Sequence, residues 1–198
     1  TLTSQTGRWT DSQTYVVDAT VADAGIDADA VTIDIAGAQD VAGNMQEDHS
    51  ATVGLSVDTL NPTASYASAI KNQNTNGAAD VASDADPVVA YTVTFSEPIA
   101  GIQASDIDVA GGTLVANSLV LSTDKTKATF DVQASDNSVA DLVVKVKDTV
   151  KDLNGNKLVE SSSAAVDVDT VNPGVTITDD QSGKSFAVSY THLRAHET

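Results

Sequence analysis

Cysteine is absent from the 198 residues of the chain. That excludes disulfides and cysteine-based zinc sites. Small domains outside the reducing cytosol usually lean on disulfides, so a chain of this kind needs another stiffener, and metal is a common substitute. Aromatic residues are scarce as well, 4 % of the chain with a single Trp. The apolar 41 % must therefore fill a core with Val, Ile, Leu and Ala, whose β-branched members favour strands. Basic residues are few: 10 Lys and Arg stand against 28 Asp and Glu, for a net charge of −18 and a pI near 4.1. Such a field repels nucleic acid and anionic membranes, which removes both as partners, and it attracts cations. Apolar runs are too short to cross a bilayer, so no membrane insertion is expected. No stretch carries a sustained helical period with caps.

Catalytic signatures are missing too. There is no His-Glu-x-x-His, no Gly-x-Ser-x-Gly and no phosphate-cradling glycine loop. Paired carboxylates abound, but glycosidase chemistry needs two acids across a cleft, and sugar clefts are usually lined by aromatics, of which this chain has few. His49, beside Glu47 and Asp48, reads as a solvated loop residue. Trp9 reads as a core or edge aromatic of its module.

What is present is a repeat. Val57-Asp-Thr-Leu-Asn-Pro62 returns as Val168-Asp-Thr-Val-Asn-Pro173, with the prolines 111 positions apart. Asp40-Val-Ala-Gly-Asn44 matches Asp152-Leu-Asn-Gly-Asn156 at an offset of 112. Asp18 to Asp23 matches Asp131 to Asp136 at 113. Drifts of this size are what short loop insertions produce, and the period is that of one β-sandwich module. The expected organisation is the C-terminal part of a module at 1–61, a complete module at 62–172 and the start of a third at 173–187. Proline at each junction suits a short, stiff linker. With no opening Met and no signal peptide, the chain reads as an internal piece of a longer protein.

The tail, Val188 to Thr198, breaks this style and resembles the read-through translation of a sequencing adapter. His192, His196 and Arg194 therefore carry no functional argument, and His49 is left as the one native histidine.

Seven strands are expected in the complete module: Thr63–Ala67, Val88–Phe95, Asp106–Val109, Thr113–Leu121, Lys127–Ala134, Leu142–Lys147 and Ala164–Val168. Alternation is clearest in Ala128–Val132 and Val143–Lys147. Thr123–Thr126 and Asn154-Gly155 are turn signals between strands. The predicted class is all-β.

Phe95-Ser-Glu-Pro98, Gly101, Ala104-Ser-Asp-Ile-Asp108, Gly111-Gly-Thr113, Asp152-Leu-Asn-Gly-Asn156 and Val168-Asp-Thr170 with Pro173 together resemble the bacterial immunoglobulin-like repeats of large biofilm-associated and RTX adhesins. The resemblance spans 62–173 and reappears in 14–62. It implies tandem Ig-like β-sandwiches acting as non-catalytic extenders of a giant secreted protein on the bacterial cell surface. It also implies calcium at the module junctions, neighbouring modules as partners, and a cell-surface or matrix ligand of unknown identity. Two departures stand out: the polar first loop from Lys71 to Asp86 is long, and the glycine-rich nonapeptides of export regions are absent. Two other classes fit the composition, an accessory Ig-like module of a secreted hydrolase and an acidic surface-layer protein.

Strand parity supplies a geometric expectation without the family. Each antiparallel connection reverses direction, so loops after strands two, four and six share a proximal pole with the linker Asp58–Asn61. That gathers Asp58, Glu97, Asp106 and Asp152. Loops after strands one, three and five share the distal pole with Asp167 and Asp169, joined there by Asp80, Asp84, Asp86 and Asp136. The metal-ligand candidates are therefore Asp58, Glu97, Asp106 and Asp152 proximally, and Asp136 and Asp169 distally. Like charges in one place repel, and a bound calcium turns that repulsion into a clamp. Competing structural readings exist. Asp152–Asn156 reads most simply as a hairpin turn bonding its own backbone, its EF-hand likeness failing at the misplaced Gly155, and Glu97 could be a solvated loop residue.

Overall fold

The structure is a computed structural model that describes residues 2–71 and 80–175. Most of the long polar loop, nearly all of the expected third module and the whole tail lie outside the described residues.

The N-terminal segment is built of hairpins. β1 (Leu2–Trp9) pairs with β2 (Tyr15–Val21), Trp9 opposite Tyr15. The turn between them is closed by Asp11, whose Oδ1 accepts the backbone N–H of Gln13 and of Thr14, both at 2.8 Å. β3 (Asp27–Ala28), β4 (Val31–Ile35), β5 (His49–Val53) and β6 (Val57–Asp58) follow. β4 pairs with β5 and β3 with β6, all antiparallel. His49 is thus the first residue of a strand, opposite Ile35, rather than a loop residue.

The central unit continues with β7 (Ala64–Ile70), β8 (Val81–Ser83), β9 (Val88–Phe95), a 3₁₀ turn at Ala104–Asp106, β10 (Ile107–Ala110), β11 (Gly112–Leu114), β12 (Val120–Leu121), β13 (Lys127–Ala134), β14 (Val143–Val146), β15 (Ser161–Ser162) and β16 (Asp167–Asp169). One sheet runs β11-β13-β9-β7, with β12 also on β13, and the other runs β10-β14-β15. Strict alternation drives the first sheet. Val89, Tyr91, Val93 and Phe95 of β9 point inward with Ala128, Phe130, Val132 and Ala134 of β13. The second sheet answers with Ile107, Val144 and Val146, and Leu142, Ile99, Val150 and Leu158 close the core. The Tyr91 and Phe130 rings stack at 5.8 Å between centroids, a geometry that adds to their area burial. Tyr66 fastens sheet to sheet, its hydroxyl donating to the Ser161 carbonyl at 2.6 Å and accepting the Val146 N–H at 3.1 Å. The chain is all-β, an Ig-like sandwich in its central part.

Several details depart from the strand reading, among them the last strand, which runs Asp167–Asp169 and not Ala164–Val168. Thr113–Leu121 is not one strand. It splits into β11 and β12 around Asn117, whose φ of 60° lies in the left-handed region that Asn tolerates. Both pieces run antiparallel to the same β13, with Leu114 opposite Val132 and Val120 opposite Thr129. The break is therefore a bulge, not a reversal, and the later loops keep their poles. Asp106 ends the 3₁₀ turn instead of opening a strand. Two short strands lie outside the seven expected: β8, which pairs in parallel with β16, and β15, which pairs with β14.

The sequence repeat is a repeat of hydrogen bonds. Asp40 Oδ1 accepts the N–H groups of Ala42 and Asn44, and its Oδ2 accepts the Asn44 side-chain amide. Asp152 makes the same loop with Asn154, Gly155 and Asn156. Gly43 and Gly155 take φ of 87° and 99° at matching places, where a side chain would be strained. In both copies the threonine after the junction aspartate clamps an earlier loop. Thr59 Oγ1 accepts the Ile26 N–H at 3.1 Å, and Thr170 Oγ1 accepts the Ser138 N–H at 2.9 Å.

Candidate metal centre

Three loops bring carboxylates together at the proximal pole. Asp58 ends β6 and is half-buried. Its Oδ1 accepts the Leu60 N–H at 3.0 Å, an Asx turn that starts the linker. Glu97 follows β9 and is fixed from both sides. Ser96 exchanges hydrogen bonds with Thr63 through its hydroxyl and its N–H. On the other side, Ile99 bridges to Asp152 and the Ala100 N–H donates to the Lys151 carbonyl at 2.8 Å. Asp152 is 2 % exposed. Its Oδ1 takes the N–H groups of Asn154, Gly155 and Asn156 at 2.8, 2.6 and 2.8 Å, and its Oδ2 takes the Asn156 amide at 2.7 Å. The loop is the self-bonded hairpin turn that its sequence resembles, and it also holds a buried carboxylate on the pole.

One carboxylate oxygen from each of Asp58, Glu97 and Asp152 lies within 4.8 Å of the others. Oxygens around one calcium ion sit at about 2.3–2.6 Å from it, so two of them can be up to about 5 Å apart, and the triad fits that limit. Asn154 ties the loops together, its side-chain amide donating to Asp58 Oδ2, while the Asn156 amide donates to the Asp58 carbonyl at 3.3 Å. Glu97 differs from its neighbours: its Oε1 is buried and has no hydrogen-bond partner among the described residues. Burial raises the Glu97 pKa above its ordinary value, and the charges of Asp152, Asp58 and Asp27 raise it further. An orphaned, buried carboxylate oxygen facing two further carboxylates is the donor set that a hard cation satisfies.

The cleft is also lined by Asp27, Asp29, Ser56, Pro98, Leu153 and Asn154. Asp27 arrives because β3 pairs with β6, which sets it opposite Asp58. Sequence reasoning missed Asp27 and Asp29, because the proximal pole was filled from the complete module and its linker alone. The signal was available in the repeat: a loop placed at the distal pole of one module has a counterpart one period earlier, beside the preceding linker.

Asp106 does not join the triad. Its Oδ2 accepts the Gln103 N–H at 2.8 Å and its Oδ1 accepts the Thr149 hydroxyl at 2.8 Å, so the carboxylate closes the 3₁₀ turn. At the distal pole, Asp169 Oδ1 accepts the Val171 N–H at 3.1 Å, the same Asx turn as Asp58. Asp136 lies in the loop clamped by Thr170, which donates to the Ser135 carbonyl. No carboxylate triad includes Asp136 or Asp169 among the described residues. The recurrence of the Asp-Thr-x-Asn-Pro motif is therefore accounted for by turn closure and the threonine clamp at both ends.

Residues 58–168, more than half of the chain, match the bacterial Ig-like domain family, and the chain belongs to that family. Its domains are typically non-catalytic and typically extracellular or borne on a surface. No curated protein and no solved structure matches the chain significantly. Among the described residues no helix is long and apolar enough to cross a membrane.

Proposed function

We propose that the chain is a piece of a giant secreted bacterial adhesin of the RTX or biofilm-associated kind, in which Ig-like modules extend or bind and carry out no chemistry. In this reading 1–61 is the back of one module, 62–172 a whole module and 173–187 the opening of a third. Calcium at the 58–62 junction sets the angle between the first two. The observation that carries the reading is the unpartnered Glu97 Oε1 beside Asp58 and Asp152. These three residues would hold the ion, and Asp27 and Asp29 add charge from the preceding segment. The ion would neutralise the mutual repulsion of the carboxylates and couple the linker to the loops after β9 and β14. A ligand that binds only the docked state stabilises it by mass action. Extracellular calcium modules bind at roughly 10⁻⁴–10⁻³ M, so ordinary extracellular calcium is enough to act.

Small-angle scattering on the chain in calcium and in chelator tests the junction. The expected result is a longer maximum dimension and a narrower distance distribution in calcium, with the response lost in Asp58→Ala. Identical curves in the two conditions, with an unchanged melting temperature, would leave the acidity as solvation of an acidic surface-layer or accessory module.

A further inference from the structure

The two matching loops differ in the residue that precedes their glycine. Asp40-Val-Ala-Gly-Asn44 and Asp152-Leu-Asn-Gly-Asn156 share their aspartate, their glycine and their closing asparagine. In both, the aspartate Oδ1 collects backbone N–H groups and the glycine takes a positive φ. The residue before the glycine is Ala42 in the first loop and Asn154 in the second. An asparagine followed by glycine can react with its own main chain, because glycine has no side chain to hinder ring closure at its nitrogen. Asn154 and Gly155 are both exposed, so water reaches them. Apart from its chain neighbours, nothing lies within 4 Å of the place a Gly155 Cβ would take, which leaves the loop room to rearrange.

We propose that Asn154 is a modification site that deamidates spontaneously and so unties the linker from the loop after β14. The Gly155 backbone nitrogen attacks Asn154 Cγ and bonds to it. The Cγ–Nδ2 bond breaks, and the side-chain nitrogen leaves as ammonia with the proton from the Gly155 nitrogen. Water then opens the cyclic imide. Cleavage at Cγ leaves aspartate, and cleavage at the main-chain carbonyl leaves isoaspartate. Either product is acidic. In the parent chain the Asn154 amide donates to Asp58 Oδ2, a tie between the loop and the linker. A carboxylate has no N–H to give and sets a like charge against Asp58 instead. Isoaspartate also routes the main chain through the side-chain carbon, which lengthens it by one atom. That displaces Gly155 and Asn156, whose N–H groups meet on Asp152 Oδ1. Asp152 also sets the pace. It holds the Gly155 N–H at 2.6 Å, and the nitrogen must leave that bond before it attacks. The carboxylate charge further disfavours the deprotonated, reactive nitrogen. Modification therefore proceeds from openings of the loop.

The test is mass-spectrometric peptide mapping of the full chain, incubated in mildly alkaline buffer with chelator. No cation takes part, so failure of the cation reading leaves the test intact. Mapping separates Asn154 from Asn76-Gly77, the other such pair in the chain. Aspartate and isoaspartate should accumulate at Asn154 faster than at Asn44 of the matching loop. The rate should be about tenfold slower than in the same chain in denaturant, where the Asp152 bond is gone. Asn154→Asp reproduces one product. In chelator it should melt below Asn154→Ala, which loses the tie without adding charge, and salt should close the gap. Absence of products at Asn154 in the folded chain would overturn the proposal. So would equal rates in the folded and denatured chain, or Asn154→Asp melting no lower than Asn154→Ala.

Discussion

Residues 2–58 and residues 64–169 carry the same repeat, yet only the second buries it. The strands, Asx turns and threonine clamp form in both. Val17 and Phe130, at matching positions, are 55 % and 2 % exposed. Hairpin registers and turn closures are thus local properties of the sequence. A core is a property of two facing sheets, and the N-terminal segment presents its apolar faces without one. Exposed hairpins of this kind are marginal alone, so the N-terminal segment is expected to open first in hydrogen exchange.

The largest effect should come from truncating the two matching positions. Phe130→Ala removes a stacked ring from the core and should cost about 3–5 kcal/mol, while Val17→Ala should stay within about 0.5 kcal/mol. Denaturant unfolding of the whole chain, followed in both regions, measures both, and equal costs would break the comparison. A smaller contrast lies in the paired turns. Asp152→Ala removes the buried carboxylate that accepts three backbone N–H groups and should cost about 1–3 kcal/mol. Asp40→Ala, at a solvent-exposed loop, should leave the central transition unmoved.

The smallest effect is the pH dependence set by Glu97. Its pKa is raised in the folded chain by burial and then by Asp152, Asp58 and Asp27, so the folded state binds more protons than the unfolded state. Its contribution is fully present below the ordinary value of 4.5 and is lost as pH rises through the raised value. In chelator the melting temperature of the parent chain should therefore fall relative to Glu97→Gln as pH rises through that window. Calcium should reverse the difference, because it stabilises the parent chain and not Glu97→Gln. A constant gap between the two across the window would contradict the assigned origin of the shift.

Much of the fold was legible in the sequence because its signals are local. Val88–Phe95 and Lys127–Ala134 alternate strictly and form the strands expected, residue for residue. β8 and β15 were not legible, being only three and two residues long and formed by pairing with partners outside their own segments. Asn117 marks where Thr113–Leu121 breaks, at a positive φ that Asn tolerates better than most residues. For the site, parity brought Asp58, Glu97 and Asp152 to one pole, and the bulge left that parity intact. Parity assigns a loop to a pole and says nothing of where its carboxylate turns. Asp106 turns onto Gln103 and Thr149 for that reason, and Asp27 entered through a strand pairing that only the preceding segment could supply.

The most direct measurement is a calcium isotherm by titration calorimetry on the parent chain and on Glu97→Gln. The cation reading predicts one site of roughly 10⁻⁴–10⁻³ M in the parent chain that is lost when the unpartnered Glu97 carboxylate becomes an amide. Equal calcium binding by both chains, or no heat from either across that range, would contradict it.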